Sequence, residues 1–295
     1  MSTRAIASVV AALSLIASSE ATEPLRIIVI GAHPDDCELD AGGTAARWVK
    51  AGFKVKFVSL TNGDIGHHEM AGGILARRRA AEVAKSAQIL GVDHQVLDIH
   101  DGELLPTLEN RRSVCKVIRE WKADVVVGPR TNDYHPDHRY TGVLIQDTAY
   151  MVGVPNFCPD IPPLRKNPVY LYTEDSFKKP NPFVPDIVVS IDPTFEQKVD
   201  AIDAIESQFY EWLPWIDGYL DQVPQDKAAR KQFLREKLVG RYGSSAKKYR
   251  GKLDELLGTA EAAKVKTAEA FEVCEYGTQP SKDDLLKIFP FFESK

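Results

Sequence analysis

The sequence predicts an α/β fold: a mostly parallel, Rossmann-like sheet with helices on both faces, extended by a helical C-terminal region. Three observations predict it. Short runs of Ile, Leu and Val alternate with longer stretches whose apolar residues recur every three or four positions. The short runs lack polar alternation, as expected of strands covered on both faces. The most polar turns, "GAHPDD", "TNGD" and "GPRTNDYHPDH", each follow such a run, at the carboxyl end where open parallel sheets bind ligands.

Taken in order, the chain begins with "MSTR", an apolar stretch "AIASVVAALSLIA" and the small residues of "SSEA". This is the three-part pattern of a secretory signal peptide over residues 1–21, with a cytosolic extension as the plainer alternative. The protein is expected to be exported, periplasmic or secreted, once that leader is removed. No later run is long enough to span a membrane, so no membrane span is expected in the mature chain. "LRIIVIGA" (25–32) reads as a buried strand and "AGGTAARWVKAG" (41–52) as a helix. "KVKFVSLTNGD" (54–64) is a second strand, residues 73–92 a long helix, and "HQVLDIHDGEL" (94–104) a third strand. A helix over 110–123, a strand "DVVVGPR" (124–130) and a helix over 137–152 follow. A proline-rich loop (158–168) leads to two more strands, "VYLYTED" (169–175) and "DIVVSID" (186–192). Residues 194 to about 265 read as mainly helical, around the aromatic cluster "QFYEWLPWIDGYL".

Composition narrows the function. The net charge of −5 carries no footprint for nucleic acid. The one dense basic run, Arg77-Arg78-Arg79, reads as a solvated helix face. Cys37, Cys115, Cys158 and Cys274 form no C-x-x-C pair, and their spacing selects no disulfide. Neither G-x-G-x-x-G nor G-x-x-x-x-G-K-[ST] occurs, so the glycines of "GAHPDDCELDAGG" do not mark a phosphate loop.

The polar turns carry the chemistry. "HPDD" (33–36) and "HPDH" (135–138) stand at two predicted strand ends. A single His-Pro-Asp is ordinarily a turn. Two at sites that a parallel sheet brings together would supply His and carboxylate ligands to a divalent ion. Zinc suits such ligands, and a catalytic zinc keeps three protein ligands and one open position. Iron or cobalt would fit the same set. His67 and His68 read as loop residues, and His94 and His100 have no partner in their own motifs.

"AHPDDCELDAGGT", "TNGDIG", "RRRAAEVAKSAQILGV" and "HPDHR" together resemble the LmbE-like (PIG-L) family of zinc-dependent N-deacetylases, from about residue 25 to 150. The resemblance implies one domain over 22–295, with His33, Asp36 and His138 as metal ligands and Asp35 as general base. A carboxylate beside a ligand, but not itself bound, is suited to take a proton from metal-activated water. His135 is read as the oxyanion donor, positioned by Asp137, and as an aid in protonating the departing amine. A histidine held by a carboxylate favours its charged form. Arg79 matches an arginine that binds substrate in some relatives; a helix pair with Glu82 is the structural alternative.

The chain also departs from the family. Cys37 stands where an acid is common. The late "HxSQ" is reduced to Ser207-Gln208, and Asp133 stands where some relatives carry an aromatic residue, with Tyr134 adjacent. The implied substrate is an N-acetylglucosamine-like sugar or glycoconjugate, with Trp212, Trp215, Tyr210 and Tyr219 as either packing or sugar-stacking rings. The alternatives are a zinc amidase on another N-acyl substrate and a non-catalytic metal-bound carbohydrate-binding protein. An unligated Asp35 argues against the last. The sequence leaves the oligomeric state open, a homo-oligomer included.

Overall fold

The computed structural model describes residues 23–292, so the leader expected at 1–21 lies outside the described residues. The alternation takes the form β1 (Arg26–Gly31), α1 (Asp36–Lys50), β2 (Lys54–Thr61), α2 (Gly73–Leu90), β3 (Asp93–Ile99), α3 (Leu108–Trp121), β4 (Val125–Gly128) and α4 (Pro136–Met151). After β5 (Val169–Thr173) and β6 (Ile187–Ser190) come α5 (Phe195–Asp203), a π-helical turn (Ser207–Trp212) and α6 (Leu213–Ile216). Then follow α7 (Lys227–Lys248), α8 (Arg250–Leu257), α9 (Thr259–Ala262), β7 (Ala268–Gly277) and α10 (Lys282–Ile288). No helix among the described residues is long and apolar enough to cross a membrane.

The sheet order is β3-β2-β1-β4-β5-β7-β6. Strands β1 to β5 pair in parallel, and β7 runs antiparallel between β5 and β6. β1 shows why its sequence lacks polar alternation. Ile27 and Val29 join one apolar core with Trp48, Val199 and Phe271, while Ile28 and Ile30 join another with Val114, Ile118 and Leu144. Both faces are therefore covered, as the unbroken Ile and Val run requires.

Two features differ from the sequence expectation. Helix α1 begins at Asp36, not at residue 41, so Gly42 and Gly43 lie inside the helix. Acidic residues at a helix start interact favourably with its exposed N–H groups, which suits Asp36 and Glu38. Gly43 is required by packing: a Cβ there would lie 2.8 Å from Ile191. The second difference is β7, since no strand was expected beyond residue 192. Its glutamates mask it, and one of them, Glu269, is buried in an ion pair with fully buried Lys198. Glu269 also accepts from the Gly43 and Thr44 N–H groups (2.9 and 2.7 Å), while Lys198 donates to the Leu39 carbonyl (2.6 Å). The C-terminal half is thus fastened to the middle of α1.

The order 3-2-1-4-5 reverses between β1 and β4. At such a switch point the loops leaving adjacent strands diverge, and a crevice opens at their carboxyl ends. The loops following β1 and β4 carry the two His-Pro-Asp motifs.

Candidate metal centre and active site

From Gly31 the chain turns sharply through Ala32–Asp35 into α1. The Asp36 carboxylate ties the turn, its Oδ2 accepting from the Ala32 and His33 N–H groups, each at 2.8 Å. A Cβ at Gly31 would lie 2.6 Å from that of Asp36, so the turn excludes a side chain there. Across the switch point, His135 caps α4 and His138 projects from its first turn.

His33 Nδ1, His138 Nε2 and the Asp36 carboxylate converge. His33 Nδ1 lies 3.1 Å from His138 Nε2 and 3.6 Å from Asp36 Oδ2, and His138 Nε2 lies 3.5 Å from Asp36 Oδ1. Ligands about 2.1 Å from a tetrahedral ion stand roughly 3.4 Å apart. The observed separations bracket that spacing, so the donor set fits a zinc-sized cation. His135 adds a third imidazole within 4.8 Å of those of His33 and His138.

The ligand-type histidines are oriented from behind. His33 Nε2 lies 3.1 Å from Asp101 Oδ1 and 3.5 Å from Asp137 Oδ2, and His138 Nδ1 lies 3.1 Å from Asp133 Oδ1. A carboxylate on the far nitrogen fixes the tautomer that turns the near nitrogen toward a metal. Asp101 is itself placed by Asp64, which accepts from the Asp101 N–H (3.1 Å).

The expected relation between His135 and Asp137 is corrected. The fully buried Asp137 carboxylate accepts from the Gly102 and Leu104 N–H groups (2.7 and 3.3 Å) and faces His33, not His135. His135 Nδ1 accepts from the Asp137 backbone N–H at 3.2 Å, which leaves Nε2 as the protonated nitrogen of the neutral ring. Burial, reinforced by the neighbouring His33 and His138, lowers the His135 pKa, so this imidazole is neutral at pH 7. A bound cation would push it further in that direction.

Asp35 is buried beside the donor set. Its Oδ2 accepts from Gln208 Nε2 at 2.9 Å, and its Oδ1 has no hydrogen-bond partner among the described residues. Burial, then the Asp36 charge, pushes its pKa up to about 7. The Arg79–Glu82 pair does not form. Arg78 takes Glu82 at 3.0 Å, whereas Arg79 is buried, donates to the Gly66 carbonyl and lines the cavity with Asp35 and Asp101. Of the basic run, only Arg77 is on the solvated face. Cys37 is turned away from the site: its Sγ lies 3.4 Å from the Val29 carbonyl, under the sheet. Tyr134 is exposed at the cavity mouth, its ring edge-on to His135 and His138.

Sequence reasoning missed Asp101, Asp133 and Gln208 as contributors. Asp101 was hidden because the third strand was read through to residue 104, whereas it ends at Ile99. Had the strand been ended there, the rule that sites lie at strand ends would have singled out Asp101.

A family model described as PIG-L, GlcNAc-PI de-N-acetylase, matches residues 28–149. Diacetylchitobiose deacetylase of Thermococcus kodakarensis is 35% identical over 208 residues, covering 65% of this chain and 74% of that one. The solved N,N'-diacetylchitobiose deacetylase of Pyrococcus horikoshii, in complex with its inhibitor MPG, superposes with a TM-score of 0.63 at 25% identity, covering 87% of each chain. The fold alone is shared with GalB, the 4-carboxy-2-hydroxymuconate hydratase of Pseudomonas putida (TM-score 0.66, 18% identity, 87% of this chain and 99% of that one). Family match, curated relative and fold agree with the motifs at the two strand ends: the chain belongs to the PIG-L family.

Proposed function

We propose that this protein is a zinc-dependent hydrolase that removes the N-acetyl group from an N-acetylglucosamine-like sugar or glycoconjugate. His33, Asp36 and His138 would hold the metal. The observation that carries the reading is Asp35: a buried carboxylate with one oxygen tied to Gln208 and the other free, beside a three-atom donor set it does not join. A binding module has no use for such a base.

When bound, the divalent ion supplies Lewis acidity, polarising the acetamide carbonyl and bringing the pKa of water to about 7. Asp35 Oδ1 accepts the proton of the attacking water, while Gln208 fixes the other oxygen. His135 Nε2–H donates to the developing oxyanion as a neutral imidazole, held by its bond to the Asp137 N–H. The proton taken by Asp35 then passes to the departing nitrogen, since a neutral His135 has none to spare for it. Arg79 offers its guanidinium to substrate oxygens from the cavity wall.

The test is acetate release from a panel of N-acetylated sugars by zinc-loaded and chelator-treated protein. Release from an N-acetylglucosamine-type sugar, lost on chelation and restored by zinc, is the expected result. Release only from N-acyl compounds that are not sugars would favour the amidase reading. No release from any member of the panel would refute the deacetylase reading.

A further inference from the structure

The cavity that holds the reacting groups measures about 1040 Å³ in all, at the top of the usual span for a small-ligand pocket. Its wall includes the π-helical turn Ser207–Trp212, a rare conformation that recurs at functional sites. This turn presents Gln208 to Asp35 and, four residues on, Trp212 to the same cavity.

Trp212 is held as no ordinary packing residue would be. It stacks on Trp215 (ring centroids 5.4 Å apart, 17° between planes), Trp215 stacks on His68 (5.3 Å, 8°), and His68 stacks on His67 (4.6 Å, 18°). His67 is anchored through Nε2 to Glu211 at 2.8 Å, and Arg78 clamps both oxygens of Glu211 at 2.6 Å each. This column runs from the surface inward: Trp215 is 49% exposed, whereas the His67 and His68 side chains are 3% and 13% exposed. The column therefore fixes the orientation of one ring, that of Trp212, at the cavity end.

Resting on the deacetylase reading above, we propose that Trp212 is the platform for a second sugar ring, the one joined to the ring that bears the reacting acetamide. A pyranose has a flat C–H face and a polar edge. The indole supplies an apolar face, and Asp217, Ser244 and Arg241, which line the same cavity, supply partners for hydroxyls. Trp212 is then a specificity-determining residue, selecting a disaccharide or longer glycan over a monosaccharide.

The experiment compares a β-linked N-acetylglucosamine disaccharide with N-acetylglucosamine itself, in zinc-loaded wild type, Trp212→Ala, Trp212→Phe and His68→Ala. The readout is the ratio of kcat/KM for disaccharide to monosaccharide, with the same ratio of affinities measured by calorimetry on the slowed Asp35→Asn background. Loss of a stacked, buried face should lower the ratio about tenfold in Trp212→Ala. The ratio should fall by about threefold or less in Trp212→Phe, and by an intermediate amount in His68→Ala. An unchanged ratio in folded, zinc-loaded Trp212→Ala, or equal losses on both sugars, would overturn the proposal. It would also fall if an alkyl glycoside of the monosaccharide gained as much from Trp212 as the disaccharide does. Should wild type release acetate from neither sugar, the deacetylase reading fails; the calorimetric ratio then decides the platform separately.

Discussion

Replacing Asp101 with Ala should weaken metal binding without unfolding the protein. Two carboxylates face His33 Nε2, and their geometry assigns them different work. Asp101 Oδ1 lies within hydrogen-bonding distance at 3.1 Å, whereas Asp137 Oδ2 is at 3.5 Å and already accepts from the Gly102 N–H. Asp101 is therefore the nearer carboxylate and the better placed to hold the proton on His33 Nε2. Loss of such a partner typically costs 10- to 100-fold in metal affinity, about 1.4–2.7 kcal/mol. Asp137→Ala differs in kind, because it strips acceptors from the Gly102 and Leu104 N–H groups. About 1–3 kcal/mol of folding stability should go with the buried Leu104 donor so orphaned, and less with the part-buried Gly102 donor. The assay is zinc competition against a chromophoric chelator, run beside thermal unfolding of the metal-free protein. Asp101→Ala should shift affinity and lower the apo melting temperature by less than Asp137→Ala does, because Asp137 still faces His33 Nε2 at 3.5 Å. Wild-type zinc affinity in Asp101→Ala would refute the assigned orientation of His33.

Other outcomes follow from the same geometry. Glu269→Gln leaves Lys198 charged and buried without its counter-ion, which should cost about 3–5 kcal/mol. That corresponds to roughly 6–20 °C in melting temperature by calorimetry. The double variant Lys198→Met/Glu269→Met should lose less than the summed singles, and strict additivity would contradict the buried-pair reading. His135→Ala removes the oxyanion donor and should lower kcat about 10²- to 10³-fold while KM and zinc content change little. Loss of zinc from His135→Ala would instead make His135 a ligand, the role its nearness to His33 and His138 would permit.

Much of this was legible in the sequence because the relevant signals were local. Unbroken Ile and Val runs marked strands covered on both faces, and the strand-end rule placed residues 33–36 and 135–138 in one crevice before any contact was known. Signals that depend on distant partners were not legible. Gln208 reaches Asp35 across 173 positions, and nothing near residue 208 announces that contact. β7 was overlooked because its glutamates look solvated unless Lys198, 71 positions away, is known to face Glu269. The error at His135 and Asp137 has a different origin. Adjacent residues at a helix start point in different directions, and capping geometry gave His135 Nδ1 the Asp137 N–H while sending the carboxylate toward His33.

The central claim is that Asp35 acts as a base beside the metal without binding it. The measurement is zinc content and single-turnover acetate release for Asp35→Asn, an isosteric change in a pocket where Gln208 already spans one oxygen. A full complement of zinc with turnover reduced about 10²- to 10⁴-fold is the predicted result. Turnover equal to wild type, or zinc lost together with activity, would contradict it.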